Sequence, residues 1–210
     1  MKKLYIDTLP ASTSKLISLI QNKNPKFLKL FYLSGGTALS LQIGHRQSED
    51  LDFFSKRPFN PLKIQQELEL VGQLKSTQLE KGTLNTFLNS VRLQFLEYQY
   101  PLLEKTVEWQ NIQLSSVADI ACTKLQTIGM RGFKKDFIDL FFILQTYPLK
   151  TLFNKMKVKY KKSNYSTVHI LKSLLYFKDA EKQPMPRMAK KVGWSQVKSE
   201  ILKKVKDFSF

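Results

Sequence analysis

The chain is poor in the residues that build disulfides and zinc clusters. Its 210 residues include one cysteine and two histidines. No disulfide can therefore form within the chain, and a Cys/His zinc cluster is excluded. The lone cysteine, Cys122, lies among apolar residues and is predicted to be a small buried side chain in a helix. This cysteine usage fits a reducing compartment, so we expect a cytoplasmic protein.

Long apolar runs are also missing. No stretch approaches the length of about eighteen apolar residues that a membrane span requires, and none of signal-peptide length precedes Asp7 and Pro10. We therefore expect no membrane association. At 42% hydrophobic with 15 phenylalanines, the chain can still bury a good core, as one large or two small domains.

Acidic residues are scarce, and basic residues are concentrated near the C-terminus. The chain has 17 acidic and 34 basic residues, and 12 of its 17 net positive charges lie between residues 150 and 210. Basic residues near aromatic ones suit a polyphosphate backbone with stacked bases. The predicted nucleic-acid-binding residues are Lys155, Lys157, Lys159, Lys161 and Lys162. A solvated lysine-rich face, or a surface for an acidic protein partner, would have the same composition.

Residues 31 to 54 form the most informative segment, FYLSGGTALSLQIGHRQSEDLDFF. Asp50 and Asp52 are two apart in a predicted strand, so both project from one face while Leu51 and Phe53 fill the other. Paired carboxylates suit Mg²⁺ or Mn²⁺, which prefer hard oxygen ligands and leave positions for water and phosphate. Carboxylates in such a buried strand are costly unless an ion or a base compensates them.

A glycine pair supplies the second half of this predicted site. Gly35 and Gly36 precede a helix predicted to start near Thr37. Without a Cβ atom they let the backbone approach a ligand, and the free N–H groups at the helix start favour an anion such as a triphosphate. Gly35, Gly36 and Thr37 are therefore predicted to bind the nucleotide. The segment therefore predicts a metal and triphosphate site. The alternative is a packing turn beside two surface charges.

A later segment predicts two consecutive helices. Ser116 and Asp119 form a capping box that opens the first, and Gly129 with Gly132 ends it. The second is predicted to begin near Lys134, with an apolar stripe on one side.

Charged residues lie close together in this helix pair. Lys124 and Arg131 are seven apart and share a face of the first helix, while Asp136 and Asp139 are three apart on the second. An ordinary surface helix pair with salt bridges is the alternative to a functional cluster.

These motifs resemble those of the AbiEii/AbiGii-type nucleotidyltransferase toxins, which have a polymerase-beta-like nucleotidyltransferase fold. The matching segments lie roughly between residues 28 and 145. They are SGGTAL from Ser34, GHR from Gly44, Ser48, DLDFF from Asp50, KL from Lys124 and RGFKKDFIDL from Arg131. The resemblance implies transfer of a nucleotidyl group from an NTP, with the metal held by Asp50 and Asp52. It also implies a tRNA acceptor and a separate antitoxin, in a toxin–antitoxin or phage-defence system.

The resemblance also assigns roles to single residues. Lys124 would neutralise triphosphate charge, Asp136 would act as a base or orient Lys124, and Arg131 is a lesser candidate for phosphate contact. Arg46 would meet a phosphate or base, and His45 would bridge substrate and metal shell. The local alternative has His45 capping the preceding helix and Arg46 pairing with Glu49.

One position departs from the family pattern. Members commonly carry a third carboxylate on a later central strand, where this chain has Gln94. Glu97 has the opposite parity and would need a bulge to replace it. Two-metal chemistry is therefore not implied for this chain.

The predicted architecture is α+β, with a mixed-sheet nucleotidyltransferase core at 1–115 and a helical basic lobe at 116–210. The helices are predicted at 12–22, 37–43 and 61–72, and throughout the region after 115. The strands are predicted at 30–34, 50–55, 75–80, 84–89, 91–98 and 111–115.

We therefore expect a metal-dependent nucleotidyltransferase with an RNA acceptor. One alternative is a catalytically weak, basic RNA- or partner-binding protein of the same fold. Another is a transferase that modifies a protein side chain.

Overall fold

The computed structural model describes residues 3–209 and has an α+β fold, in which helices pack against a seven-stranded mixed sheet. The strands are β1 (Tyr32–Ser34), β2 (Leu51–Ser55), β3 (Leu74–Glu80), β4 (Thr83–Leu88), β5 (Val91–Glu97), β6 (Val107–Trp109) and β7 (Ile112–Leu114). The α-helices in this range are α1 (Ala11–Lys23), α2 (Gly35–Ile43), α3 (Pro61–Glu69), α4 (Val117–Met130), α5 (Lys134–Leu144), α6 (Leu149–Lys159), α7 (Thr167–Leu174), α8 (Lys178–Glu181) and α9 (Trp194–Lys206). The predicted fold class is confirmed.

The order of the strands brings two helix starts to one edge of the sheet. The order is β3-β4-β5-β2-β1-β7-β6, with β2 antiparallel to β1 and parallel to β5. Asp52 therefore lies between Ser34 on β1 and Gln94 on β5. Because β1 and β7 run parallel, the helices that follow them, α2 and α4, both begin beside this end of β2.

Aromatic packing covers the opposite face of β2. Phe53 and Phe95 stack with ring centroids 5.1 Å apart, and Phe27 and Phe31 pack edge-on against Phe95. Phe53 is buried, as its parity in the strand predicts, so Asp52 projects from the other face.

Most predicted elements are present with small changes at their ends. The helix predicted at 12–22 is α1, and the strands predicted at 75–80, 84–89 and 91–98 are β3, β4 and β5. The helix predicted near Thr37 starts two residues earlier, at Gly35. The strand predicted at 30–34 is shorter, because Lys26–Leu30 form a 3₁₀ helix. The sequence pattern does not predict β6, which has only three residues.

The helix start signals of the later segment are confirmed. The Ser116 hydroxyl accepts a hydrogen bond from the Asp119 N–H at 3.0 Å and donates to the Asp119 carboxylate at 2.7 Å. α4 then continues through Gly129 to Met130, and α5 begins at Lys134. Cys122 is buried in α4, as predicted.

The division predicted near residue 115 falls between β7 and α4. One cluster of buried apolar side chains nevertheless includes residues from both sides of it, among them Leu33 and Leu114 before it and Leu125 and Phe137 after it. The sheet and the helical half therefore share one hydrophobic core.

The sequence predicts no membrane span. Between residues 3 and 209, no helix combines the length and the apolar character needed to cross a membrane.

Candidate active site

The two aspartates line one cleft of about 490 Å³. Asp50 lies immediately before β2 and Asp52 lies within it, so the structure brings the predicted pair together. Gly35 and Gly36 form another part of the wall, and residues of α4 and α5 close the far side. The site thus combines the carboxylates, the glycine pair and the cations of the later segment.

The glycines allow α2 to start against the carboxylates. Gly35 has φ +66°, and a Cβ atom there would overlap the Asp52 carboxylate. A Cβ on Gly36 would lie 2.5 Å from the Arg46 guanidinium. The preceding Ser34 side chain makes no capping bond and instead accepts from the Ser115 hydroxyl at 2.8 Å. No Ser34 side-chain cap therefore competes with a ligand for the N–H groups at the start of α2.

Thr37 has a different place from the one predicted. Its side chain is buried and lies outside the residues that line the cleft. The Thr37 hydroxyl donates to the Asp50 carbonyl oxygen at 2.5 Å and lies 3.0 Å from the Ser48 hydroxyl. The hydroxyl therefore ties α2 to the segment that carries Asp50, and the predicted nucleotide contact of Thr37 is left to its backbone N–H at the start of α2.

Asp139 is the centre of a buried ion-pair cluster beside the cleft. One of its oxygens accepts from Arg46 Nε at 2.6 Å and from His45 Nε2 at 2.8 Å. The other accepts from Arg46 at 2.8 Å and lies 2.6 Å from Lys124 Nζ. Arg46 therefore pairs with Asp139 through both ends of its fork and not with Glu49, while still lining the cleft.

Lys124 joins this cluster to Asp136. Its ammonium lies 2.7 Å from one Asp136 oxygen. The other Asp136 oxygen accepts no hydrogen bond from the residues that the structure describes, although Arg131 Nε lies 3.5 Å from it. All three side chains line the cleft, and that of Arg131 is 51% exposed. Asp136 is therefore paired with Lys124, and the two roles that the family resemblance implies for it, orienting Lys124 or acting as a base, stay predictions.

His45 does not reach the cleft. Its side chain is fully buried and is absent from the cleft wall, so the predicted nucleotide contact is wrong. Burial lowers the pKa of His45, so its ring is neutral at pH 7. Since Asp139 can only accept, Nε2 carries the proton, which leaves Nδ1 as an acceptor. That buried Nδ1 has no partner among residues 3–209. His45 therefore supports Asp139 and does not cap α2 with its side chain.

The charges of the Asp139 cluster are compensated by neighbouring side chains, whereas the negative charge of Asp52 is not compensated by an ion pair among residues 3–209. Burial would raise the pKa of Asp139, but Arg46 and Lys124 hold it well below its usual range. The pKa of Lys124 is raised, because Asp139 and Asp136 outweigh the effect of burial. The positive and negative charges within the cluster therefore stabilise one another. In contrast, burial and the neighbouring Asp50 raise the pKa of Asp52. The cation closest to Asp50 in an ion pair is Lys135, at 3.9 Å.

Gln94 occupies the position of the expected third carboxylate. It pairs in register with Asp52 and lines the same cleft, while its amide donates to Asn85 at 2.9 Å. Glu97, three residues later on β5, lies in the wall of a neighbouring cleft. On the strand side the cleft therefore presents two carboxylates, Asp50 and Asp52, and a neutral amide, while Asp136 of α5 is the third carboxylate in its wall.

The donor set of the cleft fits a divalent ion held jointly with a substrate. Within residues 3–209, no group of three or more His, Cys, Asp or Glu side chains is arranged to hold a metal. Mg²⁺ often takes only one or two protein carboxylates and completes its shell with water and phosphate oxygens. Asp50 and Asp52 match that pattern, because no cation compensates Asp52 in an ion pair among the described residues.

The predicted nucleic-acid lysines fall on different surfaces. Lys159 is buried and pairs with Asp119 at 2.6 Å, so the prediction is wrong for this residue. Lys155 pairs with Glu104 at 2.8 Å. Lys157 is exposed near the C-terminal segment. Lys161 and Lys162 line a second cleft, which adjoins the one that contains the aspartates. The lysines from 155 to 161 are two residues apart in the sequence. They do not share one face, because α6 is helical up to Lys159.

Sequence reasoning missed several residues of the site. Asp139 lies in the second motif and was predicted only as a neighbour of Asp136, since two of its partners, Arg46 and His45, are 93 and 94 residues away. Lys135 and Arg92 also line the cleft. The signal for Lys135 is its position beside Asp136; Arg92 has a weaker one, since it shares strand parity with Gln94.

Comparison with known proteins identifies the family. Residues 19–210 match the family model described as the nucleotidyl transferase AbiEii toxin of a type IV toxin–antitoxin system. The chain belongs to this family. An uncharacterized protein of Aquifex aeolicus strain VF5 is 36% identical over 184 residues, which cover 85% of this chain and 87% of the relative. The AbiEii family resemblance noted in the sequence is therefore confirmed, and at the family level the chain is a nucleotidyltransferase toxin.

Solved structures support the same fold for this AbiEii family member. MenT4, a nucleotidyltransferase toxin of Mycobacterium tuberculosis, is 14% identical with a TM-score of 0.56, covering 95% of this chain and 87% of its own. JHP933 of Helicobacter pylori is 15% identical with a TM-score of 0.55, covering 94% and 92%. At these identities the likeness concerns the fold alone.

Proposed function

We propose that this AbiEii family member transfers a nucleotidyl group from an NTP to an RNA acceptor and requires Mg²⁺ or Mn²⁺. The observation that carries the proposal is one cleft shared by Asp50 and Asp52, the glycine-flanked start of α2, and Lys124. Carboxylates for a metal, backbone N–H groups for phosphate and a fixed cation are what nucleotidyl transfer needs.

In this proposal each group has a distinct task. Asp50 and Asp52 hold the metal, which when bound offsets charge on the phosphates. The start of α2 binds phosphate oxygens. Arg131, whose side chain is 51% exposed, contacts the pyrophosphate as it leaves. Lys124 is held at 2.7 Å by Asp136 and at 2.6 Å by Asp139, so its charge is fixed before substrate arrives.

The reaction is a displacement at the α-phosphorus of the NTP. An acceptor hydroxyl releases its proton to solvent water and its oxygen forms the new P–O bond, while the bond between the α-phosphorus and pyrophosphate breaks and pyrophosphate leaves with that electron pair. Asp136 serves as a positioning residue for Lys124 in this scheme, since one of its oxygens is committed to that ammonium.

Family membership and charge support the choice of partners. An AbiEii toxin is expected to have a cognate antitoxin and a nucleotide substrate, and tRNA is the acceptor implied by the family resemblance. The net charge of +17 favours a polyanion such as RNA as the acceptor over a protein that has few acidic residues.

One observation favours a second candidate, a nucleotide- and RNA-binding protein with weak transfer. Gln94 places a neutral amide where a third carboxylate would assist the chemistry. Binding without measurable transfer would support this candidate.

The test is incubation with each α-labelled NTP in turn, with total RNA or with protein alone, in the presence of Mg²⁺ or of a chelator. We expect label in RNA only with the metal present. Asp52→Asn should reduce transfer by at least ~10²-fold, the scale for losing one strong electrostatic group. The control is Asp179→Asn, which removes an exposed carboxylate of α8 outside the cleft. Equal transfer by both variants, with equal melting temperatures, would refute the metal site. Label in protein and not in RNA would point to a protein acceptor.

A further inference from the structure

A second cleft, of about 790 Å³, adjoins the cleft that contains the aspartates. The two clefts share Leu96, Tyr98 and Tyr100 in their walls, so these three residues lie at the boundary between them. The second cleft lies between the β4–β5 side of the sheet and the chain that follows α6. A ligand that extends from the second cleft past these shared residues would enter the cleft that contains the carboxylates.

Lysines from two distant parts of the chain meet in this cleft. Lys81 comes from the turn between β3 and β4, and Lys161 and Lys162 from the turn after α6. All three are exposed, and none takes part in an ion pair within 4.0 Å among residues 3–209. The fourth lysine of the wall, Lys159, is already neutralised by Asp119.

The cleft has one acidic side chain, and its position is constrained. The Glu97 carboxylate accepts a hydrogen bond from the Gln99 amide and lies close over Gly82. Three unpaired ammonium groups therefore exceed one carboxylate, and the cleft is electropositive. A polyanion is favoured there, in contrast to the neighbouring cleft with Asp50 and Asp52.

Tyr100 provides a rigid ring at the junction of the two clefts. Its centroid lies 4.8 Å from those of Tyr98 and Tyr160, both packed edge-on, and its hydroxyl accepts from Ser163 at 3.0 Å. Tyr98 in turn bonds Tyr160 through its hydroxyl at 2.7 Å. The ring is fixed yet partly exposed, which suits stacking of an unpaired base.

We propose that this cleft binds the single-stranded end of the acceptor RNA and leads its terminal hydroxyl past Tyr100 to Asp50 and Asp52. The inference rests on the proposed function for the identity of the acceptor. Separate lysines neutralise successive phosphates while the aromatic ring stacks a base, and stacking requires a strand that is not paired. A duplex has no free base to offer Tyr100.

The test compares two triple variants with the same loss of charge. Lys81, Lys161 and Lys162 are changed to Gln in one, and Lys172, Lys203 and Lys206 in the control. The control lysines are exposed, lie on α7 and α9 and line neither cleft. Binding of a labelled single-stranded RNA oligonucleotide is measured at several salt concentrations. We expect the cleft variant alone to bind more weakly, with a salt slope reduced by about two, at about 0.7 per lost contact.

A second pair of variants tests the ring. Tyr100→Ala should weaken binding of the same oligonucleotide by about 5- to 150-fold, while Tyr100→Phe, which keeps the ring, should bind like the wild type. The melting temperature of each variant reports any loss of folding, and the Phe variant keeps the test informative if the Ala variant is unstable.

The outcomes separate this inference from the proposed function. RNA binding that depends on the cleft lysines, without nucleotidyl transfer by the wild type, would keep the inference and refute the function. Transfer to RNA with equal binding by both triple variants would keep the function and overturn the inference. The inference would also be overturned if the wild type prefers duplex over single-stranded RNA. The same holds if the cleft variant loses binding of a protein partner but keeps its binding of RNA.

Discussion

Changing Asp139 to Asn should strongly destabilise the protein without altering its shape. The carboxylate makes four contacts of 2.6 to 2.8 Å, with His45, with both ends of the Arg46 fork and with Lys124. Asn has the same size but carries no charge and offers an N–H₂ group to donors that need an acceptor. Arg46 and Lys124 would then lack their main counter-charge while remaining buried.

The magnitude follows from the cost of an uncompensated buried charge. Removing one partner of a buried ion pair costs about 3–5 kcal/mol. We expect the lower end of that range, about 3 kcal/mol, because Lys124 keeps Asp136 at 2.7 Å. A domain is typically stable by about 5–15 kcal/mol, so the variant should still fold at room temperature.

Urea unfolding monitored by tryptophan fluorescence measures this loss, with Asp179→Asn as the control. The control should change the free energy of unfolding by less than about 0.5 kcal/mol. The pKa of Asp139 is depressed in the folded state, so its stabilisation is present above the unfolded pKa and is lost as pH falls through the folded pKa. The difference between wild type and variant should therefore be constant above about pH 5 and shrink below about pH 4. A difference under about 1 kcal/mol at pH 7 would refute the role of Asp139 as the centre of the cluster.

Three further changes address the cleft itself. Gly35→Ala should abolish transfer and lower the melting temperature, because φ is +66° and the Cβ meets Asp52, whereas Gly193→Ala, with nothing within 4 Å of its Cβ, should change neither. Lys124→Ala should weaken NTP binding in calorimetric titration and cost about 3 kcal/mol in unfolding; Lys124→Arg should restore little, since a planar fork does not replace a point charge. Gln94→Glu should raise the transfer rate if the missing third carboxylate limits it, and an unchanged rate would exclude that explanation.

The parts of the site that could be predicted from the sequence depend on short-range geometry. The parity of Asp50 and Asp52 follows from the period of a strand, and the Ser116 cap follows from a bond between residues three apart. The same alternation places Leu51 and Phe53 together in the core. Each of these features is decided within one element.

The remaining parts depend on contacts between distant elements. His45 and Asp139 are 94 residues apart, and Lys159 and Asp119 are 40 apart, so no local pattern announces either pair. Composition cannot tell a lysine that a buried aspartate neutralises from one that faces a cleft. Lys81 joins Lys161 and Lys162 only because the β3–β4 turn and the end of α6 meet in the fold.

The placement of charge explains how one surface can serve both a polyanion and a carboxylate pair. RNA phosphates and Asp50 with Asp52 repel each other when they are close, so a uniformly basic groove would not suffice. Within the aspartate cleft, Lys124 and Arg46 are committed to Asp139, and Lys135 lies 3.9 Å from Asp50. Three lysines without an ion pair among the described residues, Lys81, Lys161 and Lys162, lie beyond Tyr100 in the neighbouring cleft. Attraction of the strand and repulsion of its phosphates thus act at different points, and the terminal hydroxyl, which carries no charge, is the part of the acceptor that can best approach the carboxylates.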